Sequence, residues 1–359
     1  MTQGNHSWEE NDMIRRYLKS SCIAVVAGLI PALGAAADQT LVVSSFGGNW
    51  EKAVRAVADR FVAAHPDTEV VITLPGNSAQ IMAKLRAEKN NPSMDVVLMG
   101  GGLDFTALSE ELLLSYDYAN LPNYGDIYEV AHNPIEGLGP SIGFAGVKLA
   151  YNTEKVSPAP TSWDELWNPA YKGKVGMMNM SNNGGIMLLL LMAELNGGGL
   201  ENVDPGFAKL KTLKGQDAYF FESNPAAVDL FVQESLWISP MFDGRIAGLK
   251  AEGFPVDMTC PVEGCFVTHT NANIVAGSQN VELAAAFIGE FMSAESQTLF
   301  AEISGSGPVN RNTVLDDKAA ANVIYGADEV AKLISLPWHD ITPMRDAWVE
   351  RWNREVLAQ

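Results

Sequence analysis

Phe242-Asp243-Gly244-Arg245 places an acid and a base two positions apart, and both can hold a charged solute. A guanidinium grips a carboxylate through two parallel hydrogen bonds, while a carboxylate pairs with an amine. The same two residues would also serve as a surface pair on a helix start. Ser181, Asn182 and Asn183 precede Gly184-Gly185 and a long apolar run, offering hydroxyl, amide and backbone N–H groups to an anion. Ordinary N-capping of that helix would use the same groups. In Phe46-Gly47-Gly48-Asn49-Trp50, glycines admit a ligand close to the backbone and Trp50 could wall it. Gly100-Gly101-Gly102 is a similar turn. His269 and His339 are candidate contacts, whereas His65 and His132 read as surface positions.

Cys260 and Cys265 bracket Pro-Val-Glu-Gly, with Glu263 and His269 close by. That spacing fits neither a CxxC redox pair nor a zinc pair, leaving a local disulfide or two buried thiols. A cleft cysteine beside an activating acid or histidine would instead be a nucleophile. No HExxH or GxxxxGK[ST] pattern occurs.

These residues sit on alternating β and α signals, which predict α/β layers with largely parallel strands. Residues 40–46 read as a first strand. Val54, Val57, Ala58, Phe61 and Val62 follow at helical spacing as far as Pro66. Residues 69–74 form a second strand, Asn77 caps a second helix, and Met94–Met99 is a buried third strand. Further on, Ser162 to Glu165 reads as a capping box, and Lys174–Met178 as a strand. Asp204-Pro205 and Asn224-Pro225 each read as an N-cap followed by proline at the first helical position. Leu236–Pro240 reads as a strand and Asp243–Glu252 as a helix. With one βα series before about residue 141, another after it and no low-complexity linker, ordered strands are expected to join two halves.

The N-terminus reads as a secretory signal. Arg15, Arg16 and Lys19 are followed by an apolar stretch to Leu33 and by Ala35-Ala36-Ala37, so cleavage is expected after Ala37. Met13 is a candidate start. The stretch is shorter than the roughly 20 residues of a membrane-spanning helix. Residues 38–359 keep the formal net charge of −19, because the removed part carries equal acids and bases. Such a surface repels phosphate backbones, which argues against nucleic acid as a partner, and it suits a freely diffusing monomer.

Four stretches carry a likeness: the MDVVLM strand with its glycine turn, GFAGVKLAYN (143–152) with TSWDELWNPAYKGK (161–174), Asn224-Pro225-Ala226, and 274–292 with GSGPVN (305–310). In this order the chain resembles the spermidine/putrescine-type periplasmic solute-binding proteins, ligand-capturing subunits of ABC importers. The resemblance implies the two-lobed type II fold, each lobe a doubly wound, mainly parallel sheet. It places lobe one at 38–141 plus 270–307 and lobe two at 142–269 plus 308–359. Ligand would bind between the lobes, permease subunits would be the protein partners, the protein would be periplasmic, and neither catalysis nor a cofactor is expected.

Against that family, Phe242 occupies a position favouring an aromatic ring, and Trp338-His339 stands where an aromatic precedes a polar side chain reaching the cleft. NMSNNGG (179–185) and Thr268-His269-Thr270 stand where anchoring acids would be expected, which argues against a multiply charged polyamine. A small zwitterionic amino-carboxylate is the expected solute, with a polyamine-like one the variant of that reading. Two competitors remain on the same fold. One is a ferric-ion or anion binder, for which the chain lacks the Tyr-Tyr pair of relatives; the other is a thiaminase-like enzyme using a cysteine.

Overall fold

The computed structural model describes residues 39–100 and 102–358; the expected signal region and the Gly101 contact lie outside the described residues. β1 (Gln39–Ser44), α1 (Asn49–Ala64), β2 (Thr68–Thr73), α2 (Ser78–Ala87), β3 (Val96–Gly100) and α3 (Leu103–Ser109) open the chain. β1 pairs in parallel with β2 and β3. Successive residues of β3 alternate between two cores: Val96 and Leu98 pack with α1, while Val97 and Met99 pack with α2 and Ala107 of α3. This is the period-two signature of a sheet covered by helices on both faces. Asn77 caps α2 through Gln80, whose side chain reaches back in a reciprocal capping box.

The long strand β4 (Ser141–Asn152) leads into β5 (Gly176–Met178), α4 (Asn183–Leu195), α5 (Asp204–Lys211), β6 (Tyr219–Phe221), α6 (Asn224–Val232), β7 (Ile238–Phe242), α7 (Asp243–Ala251) and β8 (Val256–Thr259). The Ser162 segment is a 3₁₀ turn rather than an α-helix. Ser162 caps Asp164, while Glu165 bonds Asn168 instead of closing the box. Helices α5 and α6 start one residue earlier than their acid or amide suggests, with Val203 and Ser223 as caps.

β9 (Cys265–Ile274), α8 (Val281–Phe291), α9 (Ala294–Ser304), α10 (Asp317–Ala320), α11 (Ala327–Val330), β10 (Leu333–Ser335), α12 (Trp338–Ile341) and α13 (Arg345–Trp352) complete the chain. β4 and β9 are the organising pair. The sheet runs β2-β1-β3-β9-β4-β7, with β10 on β9 and β8 on β4. β9 pairs antiparallel with both β3 and β4, and in parallel with β10.

The larger core gathers Val147, Trp163, Leu189, Ile238 and Trp352 around α4, whose all-round apolar surface is buried. The other large core gathers Val43, Phe61, Phe144, Phe287 and Phe300, and it also takes Val309, Ile324 and Val330. The chain passes between these cores along β4 and β9, so residues on those strands stand where both halves meet.

Candidate functional site

A cavity of about 80 Å³ opens where the start of α3, residues 130–138, β9 and the β10–α12 connection converge. Asp104 lies in its wall, 4 % exposed. The glycine turn after β3 places it: Gly102 takes a left-handed φ of 79° and starts α3, turning Asp104 inward on the first helical turn. One carboxylate oxygen accepts from the Asn271 amide at 2.5 Å, and the other from the Phe105 backbone N–H at 3.0 Å. Burial raises the Asp104 pKa above the ordinary carboxylate value, while these neutral donors lower it. Among the described residues, no cation is one of its stabilising contacts.

His269 sits on β9 in the same wall, with Nε2 2.9 Å from Ser335 Oγ and its ring edge-on to Phe144 at 5.7 Å. Burial pushes its pKa down to about 4, so the ring is neutral at physiological pH. Across the cavity, Phe105 faces His339 at 5.8 Å, and His339 Nε2 lies 3.2 Å from Asp340. Trp338 closes the wall. A Cβ on Gly102 would lie 3.0 Å from the Trp338 Cβ and 3.2 Å from Thr342 Oγ1, so α3 and α12 touch at the rim. The pocket thus combines a buried acid, a neutral imidazole and aromatic surface, chemistry suited to an organic cation.

Of the residues singled out from the sequence, His269, Trp338 and His339 come together here, joined by His132, which is half-buried against Tyr124 and not a surface position. Ser181, Asn182 and Asn183 form a second group at the start of α4. Asn182 caps Gly184 at 3.0 Å, while the Ser181 carbonyl and the Asn183 side chain accept from Arg345 at 2.6 and 2.8 Å.

Phe46, Trp50 and Phe300 form an edge-on aromatic series, which packs the half-buried Trp50 at the start of α1 against the core. Gly47 is exposed, with no atom within 4 Å of where a Cβ would sit. Phe242 packs against the larger core. Asp243 is buried, accepts from the Gly146 and Gly244 backbone N–H groups at 2.8 Å each, and has a pKa raised to about 6 by burial. It lines a different cavity, beside Lys148 and Glu329. Arg245, next to it, is exposed on α7. Cys260 and Cys265 form a disulfide with Cα atoms 5.1 Å apart.

Asp104 and Arg345 escaped the sequence reading. For Asp104 a signal was present: an acid in the first turn of a helix that follows a glycine-rich strand end, at a place already marked for ligand approach. Arg345 carries no comparable local sign, because its partners lie more than 160 positions away.

No helix among the described residues is long and apolar enough to cross a membrane. The chain is 25 % identical to an ABC transporter periplasmic-binding protein of Sinorhizobium fredii, over 97 % of this chain and 94 % of the relative. It is 26 % identical to a gamma-aminobutyric acid-binding protein of Pseudomonas aeruginosa, over 79 % and 80 %. The fold matches the crystal structure of a spermidine/putrescine ABC transporter substrate-binding protein of Streptococcus pneumoniae with a TM-score of 0.74. That match covers 88 % of this chain and 99 % of the other at 17 % identity. The sequence profile of the bacterial extracellular solute-binding proteins matches residues 56–327, three quarters of the chain, and the protein belongs to that family.

Proposed function

We propose that this protein is the solute-capturing subunit of an ABC importer, exported to the periplasm and working as a monomer that delivers its cargo to permease subunits. The solute carries an ammonium group and is either a small amino-carboxylate or a polyamine-like amine. The observation that carries this reading is Asp104, a buried carboxylate in a cavity wall with only neutral partners. An uncompensated buried charge costs several kcal/mol, and a solute ammonium beside it relieves that cost. His269 adds no competing positive charge, and Phe105 and Trp338 offer aromatic surface to methylenes.

The proposed lobes meet along β4 and β9, at 38–141 plus 270–307 and 142–269 plus 308–359. The packing of Val309, Ile324 and Val330 into the first core favours a later return crossing, after about residue 330. Asp104 and Phe105 then face Trp338 and His339 from opposite lobes, so a solute touching both favours the closed form by its differential affinity. Capture of this kind needs no catalytic group. The pairing of Cys260 with Cys265 supports a non-enzymatic role by tying up both sulfurs of a cysteine nucleophile reading.

The test is a thermal-shift screen of refolded protein against ω-amino acids, polyamines, organic acids without an amine, and ferric citrate. Stabilisation by amine-bearing solutes that disappears in Asp104→Asn supports the reading. Stabilisation only by amine-free acids or by ferric citrate refutes it.

A further inference from the structure

Two arginines among the described residues are held in place without a carboxylate: Arg311, exposed and bonded to the Gly125, Asp126 and Ile127 carbonyls, and Arg345. Arg55, Arg60, Arg86, Arg351 and Arg354 each pair with a carboxylate. Arg345 is half-buried, and burial lowers its pKa from the usual arginine value, yet it forms no ion pair among the described residues. Two neutral oxygens hold it instead: the Ser181 carbonyl at 2.6 Å and Asn183 Oδ1 at 2.8 Å. These contacts use two of the five N–H donors of a guanidinium and fix its plane, leaving three donors for another acceptor. Its neighbour Asp346 acts on it electrostatically but makes no ion pair with it among the described residues, so an anion on the remaining donors would further offset its desolvation.

The helical run from Trp338 to Trp352 connects this guanidinium to the cavity. Trp338 and Arg345 are seven residues apart across a 3₁₀ turn at Thr342–Met344, about two turns, which puts them near one face about 10–12 Å apart along the axis. Thr342 lies between them on that face. Trp338 and Thr342 both abut Gly102, two residues before Asp104. One helix face therefore leads from the wall beside the buried acid toward the guanidinium.

We propose that Arg345, oriented by Asn183 and the Ser181 carbonyl, is the anion anchor of the solute site, which makes the captured solute an amino-carboxylate and not a polyamine. The inference rests on the Asp104 reading, since it supplies the opposite end of the same solute. The carboxylate takes two parallel hydrogen bonds from the guanidinium, a geometry that lysine does not reproduce.

The test uses paired probes: ω-amino acids of three to six carbons, and amines of matching length without the carboxylate, including putrescine. Calorimetry on refolded protein is expected to show tighter binding of at least one amino acid than of its matching amine. Arg345→Gln is expected to weaken that amino acid about 10- to 100-fold and leave the amine unchanged, with Arg345→Lys in between. An equal loss for both probes would make Arg345 a brace between α13 and α4, and would overturn the proposal. Unaltered amino-acid affinity in Arg345→Gln, or amines binding the parent protein as tightly as amino acids, would overturn it while leaving the Asp104 reading intact. Failure of every amine-bearing probe to bind the parent protein would refute the Asp104 reading, and this inference with it.

Discussion

The carboxylate of Asp104 accepts a hydrogen bond from the Asn271 side chain at 2.5 Å, joining the first turn of α3 to the middle of β9 inside the cavity wall. The two residues lie 167 positions apart in sequence, and among the described residues no cation stabilises the acid.

Replacing Asp104 by Asn keeps the shape and removes the charge. The affinity for an ammonium solute is expected to fall at least about 30-fold, the effect of losing one partner of a buried charge pair. The melting temperature of the ligand-free variant should be unchanged or higher, because an uncompensated buried charge is gone. Parallel titration calorimetry and thermal denaturation check both outcomes.

The same carboxyl makes binding pH-dependent. Burial raises its folded pKa, so it takes up a proton at a higher pH than a free aspartate. Only the ionised form attracts an ammonium group. Affinity is therefore expected to fall as the pH drops through that raised pKa, with Asp104→Asn showing no such drop. Dissociation constants measured in steps from pH 8 to pH 4 test the sign.

His269 and Asp243 set opposing trends in stability. His269 is shifted from 6.5 down to about 4, so only the unfolded chain takes up its proton between these values, and stability falls as pH drops through that window. Asp243 is shifted from 3.8 up to about 6, so only the unfolded chain has released its proton there, and stability falls as pH rises. Asp243 faces Lys148 and Glu329, whose charges act on it in opposite directions. Relative to the parent protein, His269→Gln should lose stability with rising pH between about 4 and 6, and Asp243→Asn should gain it, each by up to one proton per molecule. Urea denaturation at several pH values gives these slopes.

Gly102 has no room for a side chain. Its φ is 79°, and an added Cβ would lie 3.0 Å from the Trp338 Cβ, an atom too close to its own backbone to yield freely. Gly102→Ala is expected to cost about 1–3 kcal/mol of stability and to weaken solute binding by displacing Trp338. Denaturant unfolding, combined with quenching of tryptophan fluorescence by solute, separates the two effects.

The disulfide closes a short loop that leads directly into β9. Glu263 in this loop accepts from the Ser162 hydroxyl, and the Trp163 indole donates to the Gly264 carbonyl at 2.8 Å, fixing the loop onto the TSWDELW segment. Replacing both cysteines by serine is expected to cost about 2 kcal/mol by the chain-entropy relation for a loop this short. Thiol titration of denatured, unreduced protein lacking the signal region should find no free sulfhydryl.

Much of the fold was legible because its signals are local. The βαβαβ opening shows itself in apolar alternation and helical spacing, and Asn77 announces α2 by a side chain that bonds three residues onward. The apolar run after Asn183 could only be a buried helix. The site was harder to read. Asp243 and Arg245 offered the expected pair of charges, but β7 delivers Asp243 to Gly146 and the Lys148 cavity, while Arg245 points from the exposed side of α7. Residue type and spacing within a segment do not say which cavity the segment borders.

The amino-acid sequence by itself determined the α/β alternation, the acidic charge, the helix caps and the likeness to extracellular solute-binding proteins, because each is written in neighbouring residues or in their order along the chain. Tertiary structure alone decided that Asp104 meets Asn271, that His269 meets Ser335, and that Arg345 meets Asn183. These contacts depend on how β9 registers against β3, β4 and β10, and on where the final helices return to the sheet. Such pairings are selected by the packing of the whole core, so no local stretch of sequence encodes them.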